Sequence, residues 1–236
     1  MIKRQYTYLI CAIIISAFFT GCSNYHHVRE ITNFESARPR SILVIPVVNK
    51  SVDVYAPTSV LSTLPKILGE KGYYVFPINT VKVILDHEGF YEAAEVHAQA
   101  PESLAAMFGA DAILYVTINR WTSQYVLFST TTIVDFDYRI VNHDGAQLWS
   151  ASKTLTFTPH NEDTGNELTN LLVASISAAL ERASPNYLPL TRQANNEVFS
   201  SGYSALPPGP YASQHELYYT SLETEIAAQN AAKLEP

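Results

Sequence analysis

A chain of 236 residues with a formal net charge of −7 has room for one domain with appendages or at most two small ones, and its acidity argues against nucleic acid and against a polybasic membrane-surface role. Its two cysteines, Cys11 and Cys22, fall in or directly after an N-terminal leader. The body therefore has no disulfide, no thiol nucleophile and no cysteine ligands for zinc or iron–sulfur chemistry, and its stability must come from packing.

The first element is that leader, residues 1–21. Lys3 and Arg4 form a positive n-region, positions 8–19 an apolar stretch too short to span a bilayer, and the small pair Thr20-Gly21 stands directly before Cys22. This ending resembles a bacterial lipobox, with Phe19 in place of the usual Leu three residues before the cysteine. The resemblance implies that the Cys22 thiol is alkylated with diacylglycerol, that the chain is cut before it, and that the new amino group takes a palmitate-type acyl chain. Loss of the 21-residue leader with its two cations would leave 215 residues and a charge of −9. Each buried acyl CH₂ is worth roughly 0.8 kcal/mol, so two or more chains hold firmly. Ser23, where an Asp would resemble the inner-membrane retention signal of enteric bacteria, points to the outer membrane.

Residues 22–40 are polar and without a sustained period, and read as a lipidated tether in which His26-His27 is solvated and not a metal site. Fully extended at ~3.5 Å per residue, the tether would reach roughly 60 Å.

The folded domain is expected over 41–184. Positions 41–48 form a short apolar run rich in β-branched residues, a strand covered on both faces that ends or reaches an edge near Pro46. A helix capped by Thr58 or Ser59 follows, with Pro65 kinking it or splitting off its first turns, and Gly69 or Gly72 ends it before a second strand at 73–77. Helices over 80–88 and 101–108 come next, the latter opening on Pro101 and closing at Gly109.

Two alternating stretches, 112–118 and 134–140, place apolar residues at even positions, and Asp144-Gly145 is a two-residue hairpin signal. With those two residues as the turn, Ile140 faces Trp149, Tyr138 faces Ala151, Val134 faces Leu155, and Lys153 falls awkwardly opposite Phe136. The opposite face pairs Asp135 with Thr154 and Asp137 with Ser152. A long amphipathic helix from Thr164 or Asn166 to Pro185 would cover the sheet. The expected fold is α/β (α+β): a mixed sheet of about five strands with an antiparallel hairpin, covered by helices. The extension at 185–236 carries Pro189 and Leu206-Pro207-Pro208-Gly209-Pro210-Tyr211, then a helical stretch from His215 to Leu234; it has little core of its own and either wraps the domain or docks on a partner.

No phosphate loop, nucleophile elbow or zinc motif is present. Asp135 and Asp137 share a strand face, as a metal or acid–base pair would, yet Arg139 and the facing hydroxyls make that face an ordinary solvated surface. His143 reads as turn chemistry, and His160-Asn161-Glu162-Asp163 suits a helix start as well as a ligand loop. No catalytic, cofactor or metal residue is assigned. Tyr115, Trp121 and Tyr125 fall along the odd face of one strand as an exposed-looking aromatic strip, which is either a partner surface or a face under the C-terminal tail.

Taken together, positions 42–49, 72–77, 108–116 and Leu148-Trp149 resemble a family of bacterial lipoproteins typified by a neisserial genome-derived antigen. That resemblance implies a fold similar to the N-terminal domain of TolB and to the periplasmic domain of the curli-secretion-channel lipoprotein. It further implies a non-enzymatic, lipid-anchored protein of the outer membrane that faces the periplasm and binds other envelope proteins, as an accessory to a curli-like channel lipoprotein. An activator of a peptidoglycan synthase, a homo-oligomer and, last, a metal-dependent hydrolase using Asp135, Asp137 or the 160–163 loop are the alternatives. Cys22→Ala is expected to leave an uncleaved precursor; mass analysis of membrane and soluble fractions checks this, and a mature, membrane-bound form of the variant would contradict the lipobox.

Overall fold

The computed structural model describes residues 31–126, 129–158, 187–202 and 205–234. In chain order these form α1 (Thr32–Ala37), β1 (Ser41–Val44), β2 (Val48–Asn49), α2 (Ala56–Leu61), α3 (Leu64–Glu70), β3 (Tyr74–Val75), α4 (Ile78–His87), α5 (Ala93–His97), α6 (Pro101–Phe108), β4 (Ala112–Val126), β5 (Ser129–Asn142), β6 (Gln147–Phe157), α7 (Tyr187–Ser200) and α8 (His215–Leu234). The leader, Cys22, most of the expected tether and the helix expected up to Pro185 lie outside the described residues.

The strands make one six-stranded mixed sheet in the order β3-β1-β4-β5-β6, with β2 also beside β4. β1 lies parallel to β3 and β4, and β4-β5-β6 is an antiparallel meander. β1 ends before Pro46, which has no N–H to give a ladder. Pro65 splits the expected helix: α2 ends at Leu61, and α3 restarts with that proline in its first turn.

All four residues of β1 are buried, because helices cover both faces there. Ile42 and Val44 join a core with Phe34 of α1, Val60, Leu64 and Leu68 of α2 and α3, and Phe199 of α7. Leu43 and Ile45 join a second core with Val81, Leu85, Val96 and Leu104 of α4, α5 and α6. The start of the strand is clamped to the start of β4. Asp111 Oδ2 accepts from Arg40 N (2.9 Å), Ser41 N (3.0 Å) and Ser41 Oγ (3.1 Å), while Asp111 N donates to Ser41 Oγ at 2.9 Å.

The expected domain boundaries need correction at both ends. Phe34, placed in the tether, is fully buried and stands 5.9 Å from the Tyr73 ring, so the folded body begins by residue 31. Beyond Pro185 the chain also supplies core: α7 buries Leu190, Ala194, Val198 and Phe199, with Phe199 stacked on Trp149 at 5.3 Å. Asn195 of α7 is buried too, linking three elements as Tyr138 Oη donates to its Oδ1 (2.7 Å) and its Nδ2 donates to Thr63 Oγ1 (2.8 Å).

After α7 the tail wraps the body. Gly209 N donates to Lys71 O (2.7 Å) and Tyr211 N to Gly72 O (3.0 Å), a backbone approach so close that a Cβ on Gly209 would lie 2.3 Å from Gly72 O. α8 is held by Arg38, which pairs with Glu223 at 2.7 Å and sits 4.2 Å over the Tyr219 ring.

The hairpin register is as expected: Ile140 faces Trp149, Tyr138 faces Ala151 and Val134 faces Leu155. The turn differs. Asn142 N bonds Ala146 O around a three-residue loop with Gly145 at φ +81°, and a bulge between Ile140 and Val141 takes up the extra residue. Lys153, opposite Phe136, reaches Glu197 of α7 at 2.5 Å.

Two measurements test this packing. Asn195→Leu leaves Tyr138 Oη without its acceptor, while Thr63 Oγ1 still donates to Val60 O, and is expected to cost about 1–3 kcal/mol in chemical denaturation, partly recovered by Tyr138→Phe. The Asp111 carboxyl is pushed up by burial but held net below its usual range by the bonds from Arg40 and Ser41. A lowered folded-state pKa stabilises fully above the unfolded value near 4 and loses that effect as pH falls through the folded one. The stability gap between wild type and Asp111→Ala is therefore expected to be about 1–2 kcal/mol at pH 6 and to close toward pH 2.

Candidate functional site

The aromatic strip of β4 is not a surface. Before residue 118 the even positions of β4 face the first core, but the ladder shifts between Ile118 and Arg120, so that Trp121 pairs with Val134 and turns inward. One inserted residue exchanges the two faces of a strand. Trp121 is 4% exposed and stacks on Tyr187, the first residue of α7, at 4.6 Å and 15°. Tyr115 keeps the other face but is equally buried, with the His97 ring edge-on at 5.1 Å and the Arg139 guanidinium 4.5 Å above it. Tyr125 stands opposite Thr130 in the ladder, and its side chain lies outside the described residues. The tail, not a partner, covers Trp121.

Exposed apolar side chains gather elsewhere, beyond the carboxyl end of β1. There the loop 50–55 leaves β2 and enters α2, and Val52, Val54 and Tyr55 stand 99%, 78% and 76% exposed. The loop is braced from within: Asn49 Nδ2 donates to Asp53 O (2.8 Å), and Tyr55 N donates to Asp53 Oδ1 (2.8 Å). Asn49 and Pro57, at the loop's two ends, line a cavity of about 530 Å³ with Val44, Val47 and Val81 in its wall. Tyr91 at its rim is 67% exposed. The chain enters β1 from α1 at the opposite end of that strand.

A second concavity, about 500 Å³, lies on the polar face of β4-β5-β6 where the α4–α6 layer ends; His97, Tyr115, Asp137, Arg139, Ser150 and Ser152 line it. Asp137 Oδ2 accepts from Asn119 Nδ2 and Oδ1 from Ser152 Oγ, both at 2.6 Å. Those bonds, with Lys50 nearby, hold its carboxyl below the usual range against a small opposing effect of burial. His97 Nε2 donates to Pro46 O at 2.9 Å, since a carbonyl can only accept. Burial lowers its pKa and the Arg139 charge lowers it further, outweighing the Pro46 bond. Asp135 is absent from this lining, and the 160–163 loop lies outside the described residues. His143 pairs with Asp144 at 3.1 Å in the exposed hairpin turn. Among the described residues no three His, Cys, Asp or Glu side chains gather as a metal would require.

Sequence reasoning missed the loop 50–55 and missed α5 with its His97. The signal for α5 was the pair Glu92 and Glu95, which form a reciprocal capping box at its first turn.

The family model described as "Putative lipoprotein GNA1162-like" matches residues 29–211. A curated relative, "Putative lipoprotein NMB1124/NMB1162" of Neisseria meningitidis serogroup B (strain ATCC BAA-335 / MC58), is 33% identical over 180 residues, 76% of this chain and 80% of the relative. The crystal structure of lipoprotein GNA1162 from Neisseria meningitidis is 34% identical, with a TM-score of 0.50 over 61% of this chain and 99% of that one. A looser likeness, TM-score 0.36 at 16% identity over 51% of this chain and 74% of the other, links it to a PelC dodecamer from Paraburkholderia phytofirmans. The matched span runs from just before α1 to the Gly209 latch, the extent of the packed body, and the chain belongs to the GNA1162-like lipoprotein family.

Proposed function

We propose that this protein is a non-enzymatic envelope lipoprotein, anchored through Cys22 to the outer membrane and facing the periplasm, that binds another envelope protein through the apolar loop 50–55 and the cavity beside it. The observation that carries the reading is the exposure of Val52, Val54 and Tyr55 on a loop whose two ends, Asn49 and Pro57, line a concavity that also has the exposed Tyr91 in its lining. Large apolar side chains left in water beside an apolar pocket mark an interaction surface. Fully burying a valine-sized side chain is worth about 1.5–3 kcal/mol, so three such anchors on the loop and one at the cavity supply the centre of an interface.

A protein partner fits this surface better than the bilayer does. The anchored segment enters at the amino end of β1, and the loop stands beyond its carboxyl end, on the side away from the anchor. Family membership favours an envelope role, and an accessory position beside a curli-like channel lipoprotein is its specific form.

The test is photo-crosslinking in intact cells from a benzoylphenylalanine placed at Tyr55 or Tyr91, with Tyr211, 70% exposed on the tail, as the control position. Both loop positions are expected to capture the same membrane-fraction protein, Tyr211 not to, and Val54→Asp to reduce capture at least tenfold. Crosslinks to phospholipid, to a second copy alone, or to nothing would overturn the proposal.

A further inference from the structure

The groove on the open sheet face has a donor–acceptor imbalance. Each oxygen of its carboxylate, Asp137, already accepts one bond, from Asn119 and from Ser152, whereas the groove's donors are less engaged. Arg139 has no acidic partner among the described residues; its ladder neighbours are Tyr115 on β4 and Ser150 on β6, neither of them anionic. Ser150 Oγ accepts from Gln147 Nε2 at 3.1 Å, which leaves its own hydroxyl hydrogen to give. The Tyr115 hydroxyl is a further donor in the same lining.

Arg139 is also oriented. Its guanidinium lies 4.5 Å over the ring of a tyrosine that is itself 4% exposed and braced by the His97 ring, so the aromatic contact holds the cation at the groove that both residues line. Arg139 thus stands without an acidic partner among the described residues, on an aromatic platform, in a recess of about 500 Å³, the size of many small-molecule sites.

From this geometry we infer that the groove binds a carboxylate, held by the Arg139 fork with the Ser150 and Tyr115 hydroxyls as flanking donors. A monoanion fits better than a phosphate dianion, because Asp135 and Asp137 stand on the same face as Arg139, and the further cation there, Lys50, already lies beside Asp137. The carboxylate can belong to a small acid or to the end of a peptide chain.

Burial is the main reason His97 titrates low and the Arg139 charge adds to it; an anion seated against Arg139 offsets that smaller effect, so His97 titrates somewhat higher in the complex. The charged groups facing it from the sheet are Arg139 and, farther along β5, Asp137, with Lys50 beside Asp137.

The test uses the full mature chain in detergent, followed by NMR at the Arg139 Nε–H and the His97 ring, with N-acetylglycine, its uncharged amide, methyl phosphate and N-acetyl-trialanine as probes. N-acetylglycine is expected to shift both signals saturably and to raise the His97 titration midpoint, and the amide to do neither. Arg139→Gln is expected to weaken binding at least tenfold with its thermal midpoint unchanged, and Arg139→Lys to recover only part of it. N-acetyl-trialanine binding tenfold tighter than N-acetylglycine assigns the site to a peptide end; equal affinity assigns it to a small acid. Equal response to the amide, tighter binding of methyl phosphate, or unchanged affinity in Arg139→Gln would overturn the inference.

Discussion

β1 meets water on neither face, and the layout of the molecule follows from that. Three consecutive apolar residues, Ile42, Leu43 and Val44, are stable only if helices pack against both sides of the strand, and no local stretch of chain supplies two layers. One layer comes from α1, α2, α3 and α7, which are far apart in sequence; the other comes from α4, α5 and α6 in succession. The Asp111–Ser41 clamp sets the relation of β1 to β4 from which both layers are built. The two concavities arise where this arrangement stops. Beyond the carboxyl end of β1 the helices part around the 530 Å³ cavity, and beyond Tyr115 the second layer runs out, leaving Asp137 and Arg139 to solvent.

The hairpin was legible because its information is redundant. Alternation on β5 and β6 admits one register that buries both apolar rows, and a one-residue slip would send every one of those side chains to water. The turn is three residues long where two were expected, and the bulge beside Val141 absorbs the difference, so Ile140 still meets Trp149. The same kind of event defeated the reading of β4. Nothing local in Ile118-Asn119-Arg120 announces a bulge, yet it moves Trp121 from the open face to the core, and the aromatic strip dissolves into two unrelated contacts.

α1 and α7 were hidden for a different reason. α1 has six residues, and its contribution is Ile31 and Phe34, a spacing too short to register as a period. α7 starts with Pro189 in its first turn and buries Thr191 and Asn195 alongside its apolar residues, so its inward face looks polar when read in isolation. Asn195 earns its interior place only through Tyr138 and Thr63, which lie 57 and 132 residues away in sequence. A buried polar residue is recognisable once its partners are known, and sequence order conceals them. The loop 50–55 escaped notice because serine, lysine and aspartate between its apolar residues give it the composition of an ordinary turn.

Moving the start of the body from residue 41 to residue 31 changes what an anchored domain can reach. With a lipid on Cys22, nine residues separate the bilayer from Ile31, and at ~3.5 Å per residue that is about 30 Å at most, half the span implied by a tether running to Arg40. A body on so short a lead cannot search the space far from its membrane. A distant partner would need a long arm of its own, whereas a partner seated in or on the same membrane meets the domain at high effective concentration without one. α1 packs on the body through Phe34, and α8 is fastened to the end of α1 through Arg38, while the apolar loop stands beyond the other end of β1. The carboxylate groove lies on the polar face of β4-β5-β6 and shares no lining residue with the cavity beside the loop.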